Sequence, residues 1–134
     1  MKAATTVSIS QGLLQAILES ARRLYPRETV LLLRGKRNKN LFKIYELVVP
    51  PFANYGRSFA DFPLHMLPMD FSIVGTVHSH PSGDLTPSTE DLNHVFGIIL
   101  MIVGLPFADE GDVAVYNRSG EKLTLQINES MRIL

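Results

Sequence analysis

The sequence predicts one mixed α/β domain, and three observations carry that prediction. A long apolar stripe at helical spacing runs near the start, through Leu13, Leu14, Ile17, Leu18, Ala21 and Leu24. Short apolar runs bounded by glycine, proline and polar clusters follow it, at strand length. The chain of 134 residues is 46% hydrophobic and 19% charged, which is ordinary globular usage and enough to bury a core without staples. No repeat, low-complexity stretch or linker interrupts it, so residues 1–134 read as a single domain.

Each element has its own signal. Ser10 is a fitting N-cap for the first helix, and Pro26 stops it. Thr29 to Leu33 is a continuous apolar run bounded by Gly35, the pattern of a strand buried on both faces. Lys36 to Asn40 reads as a turn and Leu41 to Val49 as the returning strand of a hairpin. Pro50 to Gly56 reads as a loop. Ser58 to Leu67 is compatible with a strand ending in a turn at Pro68. Phe71 to His80 alternates as a strand, Pro81 to Pro87 is a loop containing Gly83, and a short helix is expected after Ser88, ending near Gly97. Ile98 to Gly104, Val113 to Asn117 and Lys122 to Ile127 complete the strands, with a tight turn at Arg118-Ser119-Gly120 between the last two.

Composition excludes several classes of function. Thirteen basic residues balance thirteen acidic ones, so nothing in the net charge draws the chain to nucleic acid or an anionic membrane. With no cysteine, disulfides, thiolate metal ligands and a cysteine nucleophile are ruled out. Residues 1–9 lack the apolar run of a signal peptide, and Ile98 to Phe107 is too short to span a bilayer. A cytoplasmic, intracellular protein is the expectation, without nucleic-acid or membrane partners.

The informative segment runs from Thr76 to Asp91. On a strand, residues two apart project from the same face, so His78 and His80 can aim imidazole nitrogens at one point. The loop after His80 reverses the chain, and Asp91 on the first turn of the next helix can close the set. Two imidazoles and a carboxylate suit zinc and leave a fourth tetrahedral position open, as catalytic sites do. Plainer alternatives exist. A histidine pair on a strand is often a surface pair or a core pair with satisfied hydrogen bonds. Ser88 and Asp91 also match an N-cap with an acidic residue at N3, close to a capping box.

The order His78-Ser79-His80, seven residues, Ser88, two residues, Asp91 resembles the signature of the JAMM (MPN+) metalloprotease family. That signature also has a glutamate seven residues before a glycine at the head of a buried strand, which Glu28 to Gly35 supplies. The resemblance covers about residues 8–127 and is greatest to the small archaeal members. It implies a curled, mixed β-sheet flanked by helices, a cytidine-deaminase-like architecture. It also implies one Zn2+ per chain held by His78, His80 and Asp91, with Glu28 as general base and Ser88 as donor to the oxyanion. Zinc lowers the pKa of a bound water to about 7, so no protein nucleophile is required. For Glu28, placed by this expectation in a buried position, the plain alternative is a strand-end salt bridge with Arg27 or Arg34. Many members carry glycine three residues after the glutamate; Leu31 stands there, a difference of packing.

Other residues read as ordinary. His94, three residues past Asp91, fits a solvent-facing or supporting role. His65 reads as structural, and Met66, Met69 and Met101 as packing. Asp84 and Glu90 read as solvated loop carboxylates, and Ser79, facing away from its neighbours, as a packing residue.

The implied activity is zinc-dependent hydrolysis of the bond joining the C-terminal tail of a ubiquitin-like modifier to a lysine, a deubiquitinase-like isopeptidase reaction. An extended tail would align on a strand edge. Trimming the C-terminus of a sulfur-carrier protein is the alternative with the same chemistry. A non-catalytic MPN scaffold is the alternative of another class, though scaffolds typically lack one or more of the ligands retained here. Oligomeric state is not legible.

Overall fold

The chain enters the fold through a short strand that the helical pattern conceals. In the computed structural model, which describes residues 4–50, 71–93 and 95–129, β1 (Thr6–Ser10) precedes α1 (Gln11–Leu24) without a connecting loop. Val7 and Ile9 are fully buried, while Thr6 and Ser10 lie at partly covered positions. Ser10 serves both elements. Its backbone is extended, at φ −74° and ψ 153°, and its Oγ accepts the Leu13 N–H at 3.1 Å as the helix cap. The helix buries Leu14, Ile17, Leu18 and Ala21, and Arg22 and Arg23 in its last turn face the negative end of the helix dipole. Leu24, counted in the apolar stripe, lies outside it and is exposed, because the stripe rotates off the core in the final turn.

β2 (Val30–Asn38) and β3 (Leu41–Val48) form the expected hairpin, but the turn is tighter than the sequence suggests. Lys36 to Asn38 continue the ladder, and only Lys39 and Asn40 turn, with Lys39 at φ 57°. On the β2 side of the tip these ladder positions are polar and exposed, while Phe42, opposite Arg37, is buried in the core. Leu32 and Leu33 are the fully covered pair of the apolar run; Val30 and Leu31 are partly covered. Leu31 packs on the edge of the main core. The strand expected at Ser58 to Leu67, the turn at Pro68, and His65, Met66 and Met69 lie outside the described residues, as does most of the loop from Pro50 to Gly56.

β4 (Ile73–His80), α2 (Thr89–Asn93), β5 (Ile99–Gly104), β6 (Val113–Asn117) and β7 (Thr124–Asn128) follow, with one turn of 3-10 helix at Glu110–Asp112 before β6. The seven strands lie in the order β6-β5-β4-β2-β3-β1-β7. β4 is parallel to β5, and β1 is parallel to both β3 and β7; the remaining pairs are antiparallel. The two outermost strands are consecutive in the chain. The residues between them, 118–123, fold back on β6 through Asn117 N–H to Glu121 O and Leu123 N–H to Val115 O before β7 joins β1 at the opposite edge. That connection requires the sheet to curl, and it bears out the curled mixed sheet.

The core follows from strand alternation. Along β5, Ile99, Met101 and Val103 enter the main cluster with α1, Leu33, Phe42 and Val77. Leu100 and Ile102, on the other face, join Val95 in a smaller cluster with Leu85, Leu92 and Tyr116. Among the described residues no helix is long and apolar enough to cross a membrane.

The second helix, described over Thr89–Asn93, ends short of Gly97, because the backbone at Phe96 has other partners. The Thr76 hydroxyl accepts the Phe96 N–H at 2.9 Å and donates to the Phe96 carbonyl at 3.1 Å. Gly97 then turns the chain into β5 at φ +93°, where a Cβ would lie 2.4 Å from the Val74 carbonyl carbon. Gly97→Ala therefore combines a left-handed backbone with a backbone clash. It is expected to cost about 2 kcal/mol or more and to lower Tm by roughly 8 °C or more, as measured by thermal unfolding.

Candidate metal centre

The site is built at the C-terminal end of β4. Register with β5 sets His78 beside Ile102 and His80 beside Gly104. Alternation turns Val77 toward the main core, so the two histidines share the opposite face with Thr76. His78 is buried and His80 half-buried. His80 Nδ1 meets the Asp84 carbonyl at 2.7 Å, and an N–H donated there fixes the ring and directs Nε2 toward Asp91.

Asp91 closes the set and also caps its helix. Its Oδ2 lies 3.0 Å from His80 Nε2, and its Oδ1 lies 3.9 Å from His78 Nδ1. The same Oδ2 accepts the Ser88 N–H at 2.9 Å, while the Asp91 N–H donates to Ser88 Oγ at 3.0 Å. This is a reciprocal capping box, so the plainer reading of Ser88 and Asp91 is present alongside the convergence on the histidines. Burial opposes ionisation of Asp91. The His80 hydrogen bond, the Ser88 amide and the nearby His78 outweigh it and hold the carboxyl well below the usual carboxylate range. The hydrogen bond to Asp91 raises His80 above its ordinary value, against the effect of burial. Among the described residues, no group of three or more His, Asp and Glu side chains already stands at metal-holding separations. The three predicted ligands come together as a carboxylate spanning two imidazoles, a donor set of the chemistry zinc takes.

Glu28 arrives from the neighbouring strand. β2 and β4 are antiparallel with Val30 opposite His78, and the pairing continues beyond the ladder through Ser79 N–H to Thr29 O at 3.0 Å. Extended by one residue, the register sets Glu28 across from His80, and residues directly opposite in an antiparallel pair share a face. Its charge contributes to raising His80, which places it within electrostatic reach. The expectation of a buried glutamate is corrected. Glu28 is exposed, because it precedes the first residue of β2 and stands at the rim of the sheet. Arg34, one candidate for a structural salt bridge with it, pairs with Glu46 at 2.6 Å instead.

Residues 10–118 match the family described as prokaryotic homologs of the JAB domain, Prok-JAB. The chain belongs to this JAMM/MPN family. It is 29% identical over 128 residues to a probable metalloprotease of Haloferax volcanii, covering 90% of this chain and 79% of that protein. A JAB1/MPN domain protein of Archaeoglobus fulgidus is 36% identical, with a TM-score of 0.67 over 91% of this chain and 99% of its own. A JAMM structure described as a metalloprotease-like zinc site in the proteasome and signalosome is 35% identical, with a TM-score of 0.64 over 95% of this chain and all of that one. These likenesses make the protein metalloprotease-like and bear out the JAMM/MPN architecture. A Desulfitobacterium hafniense protein shares the fold alone, at 19% identity and a TM-score of 0.62 over 94% of this chain and 95% of its own.

Three supports of this JAMM site escape sequence reading. Asp84 is more than a solvated carboxylate. Its backbone carbonyl takes the His80 ring, while its side chain accepts the Thr86 N–H at 2.9 Å and shapes the loop. Tyr116 on β6 donates its hydroxyl to the Leu85 carbonyl at 2.7 Å and ties the same loop to the sheet. Ser79 binds the segment carrying Glu28. The turn residues Ser82-Gly83-Asp84 gave the only sequence signal for the first; the others depend on contacts remote in sequence. His94 lies outside the described residues, and Met101 is core packing, fully buried.

Two predictions follow from this geometry. Asp91→Asn keeps an oxygen for the Ser88 amide but is a poor metal ligand. Zinc per chain, measured by elemental analysis, is expected to fall at least twofold, and Tm to fall as well, since the ionised carboxylate favoured by His80 and the Ser88 amide is gone. Full zinc occupancy would leave Asp91 with the cap alone. Tyr116→Phe removes the loop tether. Burial raises the Tyr116 phenol, so the folded state favours the protonated donor. This contribution is complete below about pH 10, the unfolded phenol value, and is lost as pH rises through the higher folded value. Unfolding of the wild type should therefore show an alkaline stability loss that Tyr116→Phe lacks.

Proposed function

We propose that this protein is a zinc-dependent isopeptidase that releases the C-terminal tail of a ubiquitin-like modifier from a lysine. The observation that carries the proposal is the convergence of Asp91 on His78 and His80, with Glu28 just ahead of β2 and near enough for its charge to act on His80. His78, His80 and Asp91 are the residues that would hold the metal, one ion per chain. When bound, zinc supplies Lewis-acid polarisation of the scissile carbonyl and acidifies water near neutral pH.

The remaining chemistry belongs to the chain. Glu28, exposed at the rim, accepts a proton from the attacking water and passes it to the departing amine. Its exposure gives substrate access to the carboxylate. Ser88 Oγ accepts the Asp91 N–H, which leaves the hydroxyl hydrogen to donate to the developing oxyanion. Such a donor is commonly worth about 3 kcal/mol in the transition state. β4 is hydrogen-bonded on both sides, so the substrate tail aligns on another edge. Retention of all three ligands and the base supports an enzyme over a scaffold.

The test incubates purified protein with lysine-linked conjugates and linear fusions of ubiquitin-like proteins, with and without a chelator. Cleavage at the lysine linkage that chelation abolishes is the expected result. Trimming of a sulfur-carrier C-terminus alone would replace isopeptidase by processing peptidase, and no cleavage of any substrate would favour the scaffold. Glu28→Gln is expected to keep its zinc and lose at least 1,000-fold in kcat, roughly 4 kcal/mol of transition-state stabilisation. A Glu28→Gln protein of normal activity removes the assigned base.

A further inference from the structure

We propose that Ser79 is a positioning residue for Glu28, an inference that rests on the hydrolase reading of the site. Ser79 lies between the two histidines, yet alternation turns its side chain away from them, and it is buried at 1% exposure. A buried position on the core-facing row of β4, the row that includes Val77, would ordinarily be apolar. Here the hydroxyl has a particular partner. Ser79 Oγ accepts the Thr29 N–H at 2.7 Å, and the Ser79 N–H donates to the Thr29 carbonyl at 3.0 Å.

In a regular antiparallel ladder, every second pair of opposite residues exchanges both backbone hydrogen bonds, and Ser79 N–H to Thr29 O marks this pair as one of them. Thr29 and Ser79 retain one of the two bonds, and the hydroxyl takes the place of the Ser79 carbonyl in the other. The pairing thus extends one residue past Val30, the last residue in regular register with β4. Glu28 is the next residue and stands exposed at the rim. The Thr29 anchor is its nearest tether to β4. Without the hydroxyl, a partly buried N–H loses its acceptor and the strand head frays from the sheet, taking the carboxylate with it. The zinc-ligand candidates sit on β4 and α2, so they do not depend on this bond. Misplacement of a catalytic group by about 1 Å costs on the order of 100-fold in rate.

The test compares Ser79→Ala, Ser79→Thr and Ser79→Val, the last two differing in essentially the hydroxyl alone. In wild-type zinc-loaded protein the Thr29 amide should be protected from hydrogen exchange. Ser79→Ala should speed its exchange at least tenfold while the Leu100 and Met101 amides in β5 stay protected. With a lysine-linked conjugate, kcat should fall about 10- to 100-fold with KM and zinc per chain unchanged. Ser79→Thr should restore most of the loss and Ser79→Val should not, a comparison that stands even where Ser79→Ala folds poorly. Unchanged Thr29 exchange, kcat within twofold of wild type, or equal behaviour of the Thr and Val variants overturns the proposal. Loss of zinc in parallel with kcat also overturns it, since the hydroxyl would then support the ligands. A wild type that cleaves nothing defeats the hydrolase reading and with it a catalytic role for Ser79, while Thr29 exchange still decides the anchor separately.

Discussion

The antiparallel register between β2 and β4 is the constraint on which the site depends. Val30 stands opposite His78, and the register extended past the ladder through Thr29 and Ser79 brings Glu28 toward the level of His80. Because side chains alternate with a period of two, a slip of β2 by one residue would send Glu28 to the core side, away from both histidines. The apolar run alone would tolerate that slip, because it is covered on both faces. Gly35 makes it expensive, since a slip brings a side chain into its place, where a Cβ would lie 2.6 Å from the Lys43 carbonyl oxygen. The close approach of β3 at Gly35 thereby helps to fix where the carboxylate stands.

Asp91 shows that a structural role and a functional one need not compete. Its Oδ2 satisfies the Ser88 amide and reaches His80, while its Oδ1 faces His78. Capping fixes the side-chain torsion, so the carboxylate is held oriented before any ligand arrives. Such preorganisation lowers the cost of gathering three donors around one ion. The bond from Ser88 also draws electron density from the carboxylate and keeps it ionised, as does the imidazole beside it.

How much of this was legible in the sequence depended on the range of each signal. The stripe of α1, the hairpin and the strand-loop-helix order from His78 to Asp91 are local patterns that the structure shows, with Leu24 off the stripe, a tighter hairpin turn, and β4 beginning at Ile73 and buried on both faces. β1 escaped because five residues run directly into a cap, leaving Ser10 to look like the start of order. Its pairing with β3 and β7 is wholly non-local. Glu28 reads as a buried strand head because apolar periodicity reports that a strand exists, but not how far its neighbours extend beside it. The end of α2 was overextended because the hydroxyl that claims Phe96 comes from Thr76, twenty residues earlier. Sequence spacing likewise identified Ser79 as facing inward and could not reveal its partner.

The face that carries His78 and His80 has its own small core, and this explains why so short a helix can hold Asp91 against them. α2 has five residues, far fewer than a helix needs to persist alone in water. Leu92, adjacent to Asp91, packs with Leu85 of the preceding loop, Val95, Tyr116 of β6, and Leu100 and Ile102 of β5. Leu92 is partly buried, so its packing contributes a fraction of the about 1.5–3 kcal/mol of full burial, comparable to a cap. Loop and helix are thus fastened to β5, which is buried along its whole length and lies parallel to β4. The two histidines and the aspartate come from segments separated in sequence by a loop, yet both segments rest on the same rigid strand. The precision of the site is inherited from β5, even though β5 contributes no ligand.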